Sequence, residues 1–126
     1  MRRYEIVYII NPDLETEPLR EVIAKFSDMI TKLKGYVLKV NEWGKRKLAY
    51  EVKRFDKGYY VVCDFCGDPS AVTEVERNLK LDDRVLKYIT VKVADDVDPE
   101  ELMRDAQQQE TGAEESEAHQ EAIEET

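Results

Sequence analysis

The apolar residues of the first 94 positions fall into segments whose period switches between two and 3.6, and this succession limits the possible folds more than any other feature. Arg3 to Ile10 reads R-Y-E-I-V-Y-I-I, rich in β-branched and aromatic residues, and ends at the turn signal Asn11-Pro12-Asp13. This predicts a strand. Thr16 is suited to cap a helix, Pro18 is tolerated in a first turn, and Leu19, Val22, Ile23, Phe26, Ile30 and Leu33 follow at helical spacing up to Gly35.

Tyr36 to Tyr50 then alternates as a long second strand, interrupted at Trp43-Gly44-Lys45, where the glycine suggests a bulge or bend. The charged stretch Glu51 to Gly58 is the expected connection to a third strand, Tyr59 to Phe65, with which the second forms a hairpin. Asp68-Pro69-Ser70 opens a second helix, with Val72, Val75 and Leu79 on one face, which fades at Leu81-Asp82-Asp83. Val85 to Val93 alternates as a final strand.

The order is therefore β-α-β-β-α-β. Two right-handed crossovers interleaved around a hairpin give an α+β, ferredoxin-like split β-α-β sandwich: a four-stranded antiparallel sheet with two helices on one face. The long second strand lies at a sheet edge, where unpaired backbone groups are open to a partner.

Past Ala94 the composition changes, with too few large apolar residues to offset chain entropy. The expected division is a domain over residues 1–94 and a disordered acidic tail over 95–126, with a transient helix near Pro99 to Gln109. Charge divides the same way. Residues 1–94 hold 18 Lys and Arg against 15 Asp and Glu, a net +3, whereas 95–126 hold 1 against 13, a net −12. The overall −9 is thus a property of the tail, and the domain itself is mildly basic.

Several chemistries are disfavoured. The N-terminal segment lacks the apolar core of a signal peptide, and no stretch approaches the roughly 18 apolar residues of a membrane span, so an intracellular protein without a membrane partner is expected. Cys63 and Cys66 have a C-x-x-C spacing, but they lie late in a β-like run and no second pair completes a four-thiolate zinc site; ordinary thiols are expected, with no metal or cofactor. His119, the one histidine, has no partner with which to activate a nucleophile. No enzyme is expected.

What remains is cationic. Lys45-Arg46-Lys47 follow the glycine bend, Lys53, Arg54 and Lys57 continue the positive stretch, and Arg2 and Arg3 open the first strand. Arginine offers phosphate a planar fork, and lysines release counterions on binding RNA. A bulge at Gly44 is expected to let several of these cations reach one ligand. The alternative is that the cations only protect an edge strand from aggregation.

The stretch Gly44-Lys45-Arg46-Lys47-Leu48-Ala49-Tyr50-Glu51-Val52-Lys53 resembles the signature of the bacterial small-subunit ribosomal protein six family, departing only at Val52, where that signature has Ile. The resemblance extends to Met1-Arg2-Arg3-Tyr4-Glu5, Pro12, Trp43 and Leu81-Asp82-Asp83-Arg84-Val85-Leu86-Lys87, and covers residues 1–94. It implies a ferredoxin-like protein of the cytoplasmic ribosome that binds ribosomal RNA of the central domain together with small-subunit ribosomal protein eighteen. Arg2, Lys45, Arg46, Lys47 and Lys87 become RNA-contact candidates by carry-over, joined on charge by Arg3, Lys53 and Arg54. Trp43, Leu48 and Tyr50 become the protein-partner candidates.

Three other classes share this element order. An RNA-recognition motif is partly matched by Lys57-Gly58-Tyr59-Tyr60-Val61-Val62, but aromatics are missing at Val61 and Asp64, where a base-stacking platform needs them. An acylphosphatase-type hydrolase needs a phosphate-cradling first loop, whereas Asn11-Pro12-Asp13-Leu14-Glu15 is acidic and lacks glycine. A metabolite-sensing domain would be a stable oligomer, whereas the ribosomal reading predicts a monomer in isolation.

Overall fold

The computed structural model describes residues 1–108. Strand β1 (Arg2–Ile10), helix α1 (Thr16–Lys32), strands β2 (Tyr36–Val52) and β3 (Phe55–Gly67), helix α2 (Pro69–Leu81) and strand β4 (Val85–Ala94) follow in the expected sequence. The sheet order is β2-β3-β1-β4 and all neighbours are antiparallel, which is the split β-α-β sandwich with β2 and β4 at the edges.

The main core lies between the sheet and the two helices. Ile6, Tyr8 and Ile10 of β1 and Val61, Cys63 and Phe65 of β3 meet Val22, Phe26 and Ile30 of α1 and Val75 and Leu79 of α2. These are the positions that the two periodicities select. Helix α1 starts without a side-chain cap: its N-cap is Glu15, and Thr16 is already helical. It ends in a left-handed residue, Lys34 at φ 65°, whose N–H donates to the Thr31 carbonyl while the Gly35 N–H donates to Ile30, a Schellman closure.

A second cluster lies on the other face of the sheet, which carries no helix among the described residues. Val7, Ile9, Tyr60, Val62 and Leu86 are buried there beneath Leu48, with Val52, Phe55, Trp43 and Ile89 around them. The β2-β3 hairpin supplies much of this cover. Only Tyr59–Gly67 of β3 pairs with β1, so the hairpin tip projects past the end of β1 and its apolar residues pack on that face. Gly58 makes the approach possible, because a Cβ there would lie 2.1 Å from Ile9 Cγ2.

The loop from α2 to β4 is fastened by Asp82, which with Glu5 is one of two buried carboxylates among the described residues, and which accepts hydrogen bonds from Arg84 Nε and Nη2 and from Lys25 Nζ of α1. The Arg84 bonds, helped by Lys25, hold the Asp82 carboxyl well below the usual carboxylate range.

Within the stretch read as an acidic tail, Pro99–Gln108 forms helix α3. Asp98 receives the Glu100 N–H at its start, the Val97 N–H donates to the Met1 carbonyl, and Met103 lies beside Tyr36 and Val37 of β2. The remainder of the expected disordered tail, 109–126, lies outside the described residues. Among the described residues no helix is long and apolar enough to cross a membrane.

Two outcomes are expected for stability. Gly58→Ala should destabilise the domain by about 1–3 kcal/mol through overpacking against Ile9, read as a lower urea midpoint. Asp82→Asn should cost about 2 kcal/mol at pH 7, held down by the partial exposure of Lys25 and Arg84. Because the folded pKa is depressed, the Asp82 contribution is present above the ordinary carboxylate range and is lost as pH falls below about 4. The gap between wild type and variant should therefore narrow between pH 5 and pH 3 in denaturant titrations.

Candidate nucleic-acid interface

The cationic stretch sits on the outer strand of the hairpin arm, and its geometry begins at Gly44. The β2-β3 register shifts between Glu42↔Val61 and Gly44↔Tyr60, leaving Trp43 as the extra residue, and Gly44 takes φ 84°, which glycine accommodates readily. The bulge turns Trp43 onto the helix-free face, where its ring stacks on Tyr60 at 5.8 Å between centroids and 15° between planes. The Arg46 guanidinium lies 5.2 Å from the Trp43 ring centroid. The indole Nε1 is buried and has no hydrogen-bond partner among the described residues.

The three cations after the bulge do not share one face of the sheet. Pairing resumes directly after Gly44, with Lys45↔Tyr59, Arg46↔Gly58 and Lys47↔Lys57. Directly paired residues share a face, so Arg46 lies on the helix-free side with Tyr60, while Lys45 and Lys47 lie on the other. Both lysines are exposed.

From Leu48 the two strands diverge. The register jumps from Lys47↔Lys57 to Val52↔Phe55, so Leu48 to Glu51 loop out opposite Asp56 alone. Leu48, expected at the partner surface, is instead turned inward at 6% exposure because it caps the second apolar cluster. Tyr50 stays half exposed, and its hydroxyl accepts a 2.6 Å hydrogen bond from Lys87 Nζ, whose ammonium also lies 5.0 Å from the Tyr50 ring centroid. The connection is shorter than the expected Glu51 to Gly58. Only Lys53 and Arg54 intervene between the paired residues Val52 and Phe55, at φ 48° and 72°. Positive φ at both central residues is the geometry of a type I′ hairpin turn. Lys53 Nζ reaches back to the Val85 carbonyl of β4 at 3.2 Å.

The cations of β1 are differently placed. Arg3 forms a two-pronged pair with Asp64 at 3.0 and 2.6 Å across the β1-β3 register, and both are mostly buried. Arg2 is exposed, 3.8 Å from Asp95. The eight RNA candidates therefore fall into an exposed group on the arm, Lys87 beside it, and a β1 pair engaged with acids.

The sheet tyrosines offer little platform for bases. Tyr4, Tyr8 and Tyr60 are buried, and Tyr59 donates its hydroxyl to Glu42 at 2.7 Å. Burial pushes the Glu42 carboxyl up, but the bonds from Tyr59 and from Arg20 of α1 outweigh it and hold the group below its usual range. The cysteines face opposite ways, Cys63 paired with Ile6 toward the helices and Cys66 with Arg3 away from them. Burial, with Asp64 nearby, pushes the Cys63 thiol up to about 12, so it is not a nucleophile. Burial also raises Cys66. Sequence reasoning missed two features: the brace of Arg20, Glu42 and Tyr59, and Lys80 of α2, which lines a cleft with Lys53 and Lys87. Neither leaves a local motif, since each is assembled from distant segments.

A family model described as Ribosomal protein S6 matches residues 3–92. The small ribosomal subunit protein bS6 of Moorella thermoacetica is 43% identical over 96 residues, 76% of this chain and 98% of that protein. The bS6 of Syntrophobacter fumaroxidans is 47% identical over 100 residues, 79% of this chain and 68% of that protein. The bS6 of Desulfatibacillum aliphaticivorans is 44% identical over 98 residues, 78% of this chain, and the match spans only about half, 53%, of that longer relative. The crystal structure of 30S ribosomal protein S6 from Thermotoga maritima superposes with a TM-score of 0.69 at 31% identity, covering 84% of this chain and 97% of that one. With the sheet order, the bulged signature strand and these matches in agreement, the chain belongs to the ribosomal protein S6 family.

Proposed function

We propose that this chain is a structural, non-catalytic component of the small subunit of the cytoplasmic bacterial ribosome, binding the central domain of the small-subunit ribosomal RNA together with ribosomal protein eighteen. Family membership supports the ribosomal role. The finer reading rests on one observation: Lys45, Lys47 and Arg54 stand exposed on the arm, and their side chains make no hydrogen bond or ion pair among the described residues. Cations without an internal counter-charge are available to phosphates.

The turn adds weight. A left-handed conformation costs a residue other than glycine on the order of 1–2 kcal/mol, and Asn-Gly is the favoured pair for such a turn. Two long cations stand there instead. The Arg54 side chain makes no contact of its own among the described residues, which is consistent with an RNA contact.

The partner fits the other side of the same arm. Leu48 to Glu51 belong to an edge strand and have left the ladder with β3, so their backbone groups are open to another chain. Tyr50 gives that segment an exposed aromatic, and Trp43 is half-buried nearby on the helix-free face. Leu48 supports the segment from beneath. The isolated chain should elute as a monomer in size-exclusion chromatography and form a one-to-one complex with protein eighteen.

Arg46→Glu tests the cationic arm. Filter binding of a central-domain RNA transcript in the presence of protein eighteen should show weaker affinity and a salt slope flatter by about 1–2. The variant should stay folded, since the stack on Trp43 contributes only about 0.5–1 kcal/mol. Equal affinity and slope would remove the arm from the interface. Arg54→Gly separates stability from binding: relief of the left-handed backbone should raise stability by about 1 kcal/mol in urea melts while RNA affinity falls.

A further inference from the structure

A cleft of about 260 Å³ lies behind the hairpin turn, between the arm, the end of α2 and the start of β4. Three lysines from three separate segments line it: Lys53 of the turn, Lys80 in the last turn of α2, and Lys87 of β4. Its floor is apolar, with Leu79 and Leu86 buried beneath it, and Tyr88 completes the wall. None of the lining residues is acidic. Asp82, two positions past Lys80, is turned inward to Arg84 and Lys25.

We infer that this cleft seats a phosphodiester of the RNA backbone, with Lys80 as a contact residue outside the cationic strand. The inference rests on the RNA-binding reading above and extends it to a second element of the fold.

The charge pattern names the ligand class. Three ammonium groups around a small cleft with no acidic lining form an anion site, and their flexible stems suit the point-charge recognition that lysine gives phosphate. Pockets that take up whole small ligands run from roughly 300 to 1,000 Å³ and enclose most of the ligand. The cleft is open and smaller than these, so a backbone passing across it fits better than a free nucleotide held within it.

The lysines are also held in place. Lys53 donates to the Val85 carbonyl and Lys87 to the Tyr50 hydroxyl, so both stems cross between the arm and β4. An ammonium has three donors, and the Val85 bond uses one of those on Lys53. Lys80 is exposed and, among the described residues, its side chain has no ion pair or hydrogen bond. The alternative role for Lys80 is to complement the C-terminal carbonyls of α2, which would stabilise the helix without touching RNA.

Binding of the central-domain transcript with protein eighteen, measured across a salt series, decides between these roles. Lys80→Ala should weaken affinity several-fold and reduce the salt slope by about 1, with Lys80→Arg close to wild type. Thermal melts of both variants check that the fold is kept. If Lys80→Ala leaves the slope unchanged while Arg46→Glu flattens it, the cleft proposal is overturned and the RNA-binding reading stands. If neither variant moves the slope, both fail.

Discussion

The contact between Ile9 and the backbone of Gly58 governs this molecule more than any other. A four-stranded sheet with helices on one side leaves its other face in water, and here that face carries Val7, Ile9, Val62 and Leu86. Each such side chain gains roughly 1.5–3 kcal/mol by full burial, so the bare face would be a large liability. The hairpin resolves this by growing past the end of β1 and laying Leu48, Val52 and Phe55 on the exposed residues. Only a residue without a side chain lets the arm come close enough. The signature strand, the tight turn and the lysine cleft all take their positions from that approach.

Two kinds of polar fastening then set the arm and the helices in register. On the helix-free side, Lys53 and Lys87 tie the arm to β4 through a carbonyl and a phenol. On the helix side, Asp82 and Glu42 draw in Lys25, Arg84 and Arg20, pairings that neutralise charge. Asp82 and Glu42 thus each neutralise cations of the helix side, Lys25, Arg84 and Arg20.

Element order and sheet topology were legible in the sequence because each element has a clean period: Ile6, Tyr8 and Ile10 alternate, and Val22, Phe26 and Ile30 recur along one helix face. The bend at Gly44 was legible too, since glycine inside a strand pattern has few other uses. What escaped depends on the path of the arm. Leu48 alternates as a surface strand residue would, yet it faces a cluster that includes Val7, Ile9 and Leu86, each about 40 positions away. Lys53-Arg54 conceals a type I′ turn because neither residue is a usual occupant of left-handed backbone, and the charges on both sides blurred the strand ends. The separation of Arg46 from Lys45 and Lys47 follows from pairing resuming at once after the bulge, which local pattern does not disclose. Lys80 carried no signal, being one cation among many on a helix.

The stacking of Trp43 has an optical consequence. It is the sole indole of the chain, stacked on a buried phenol ring and close to a guanidinium at the root of the arm. Its near-ultraviolet emission therefore reports on one small region without any engineered label. Whatever draws Arg46 away, or shifts the bulge beneath it, changes the surroundings of that fluorophore, so the protein carries its own gauge of what happens at the arm.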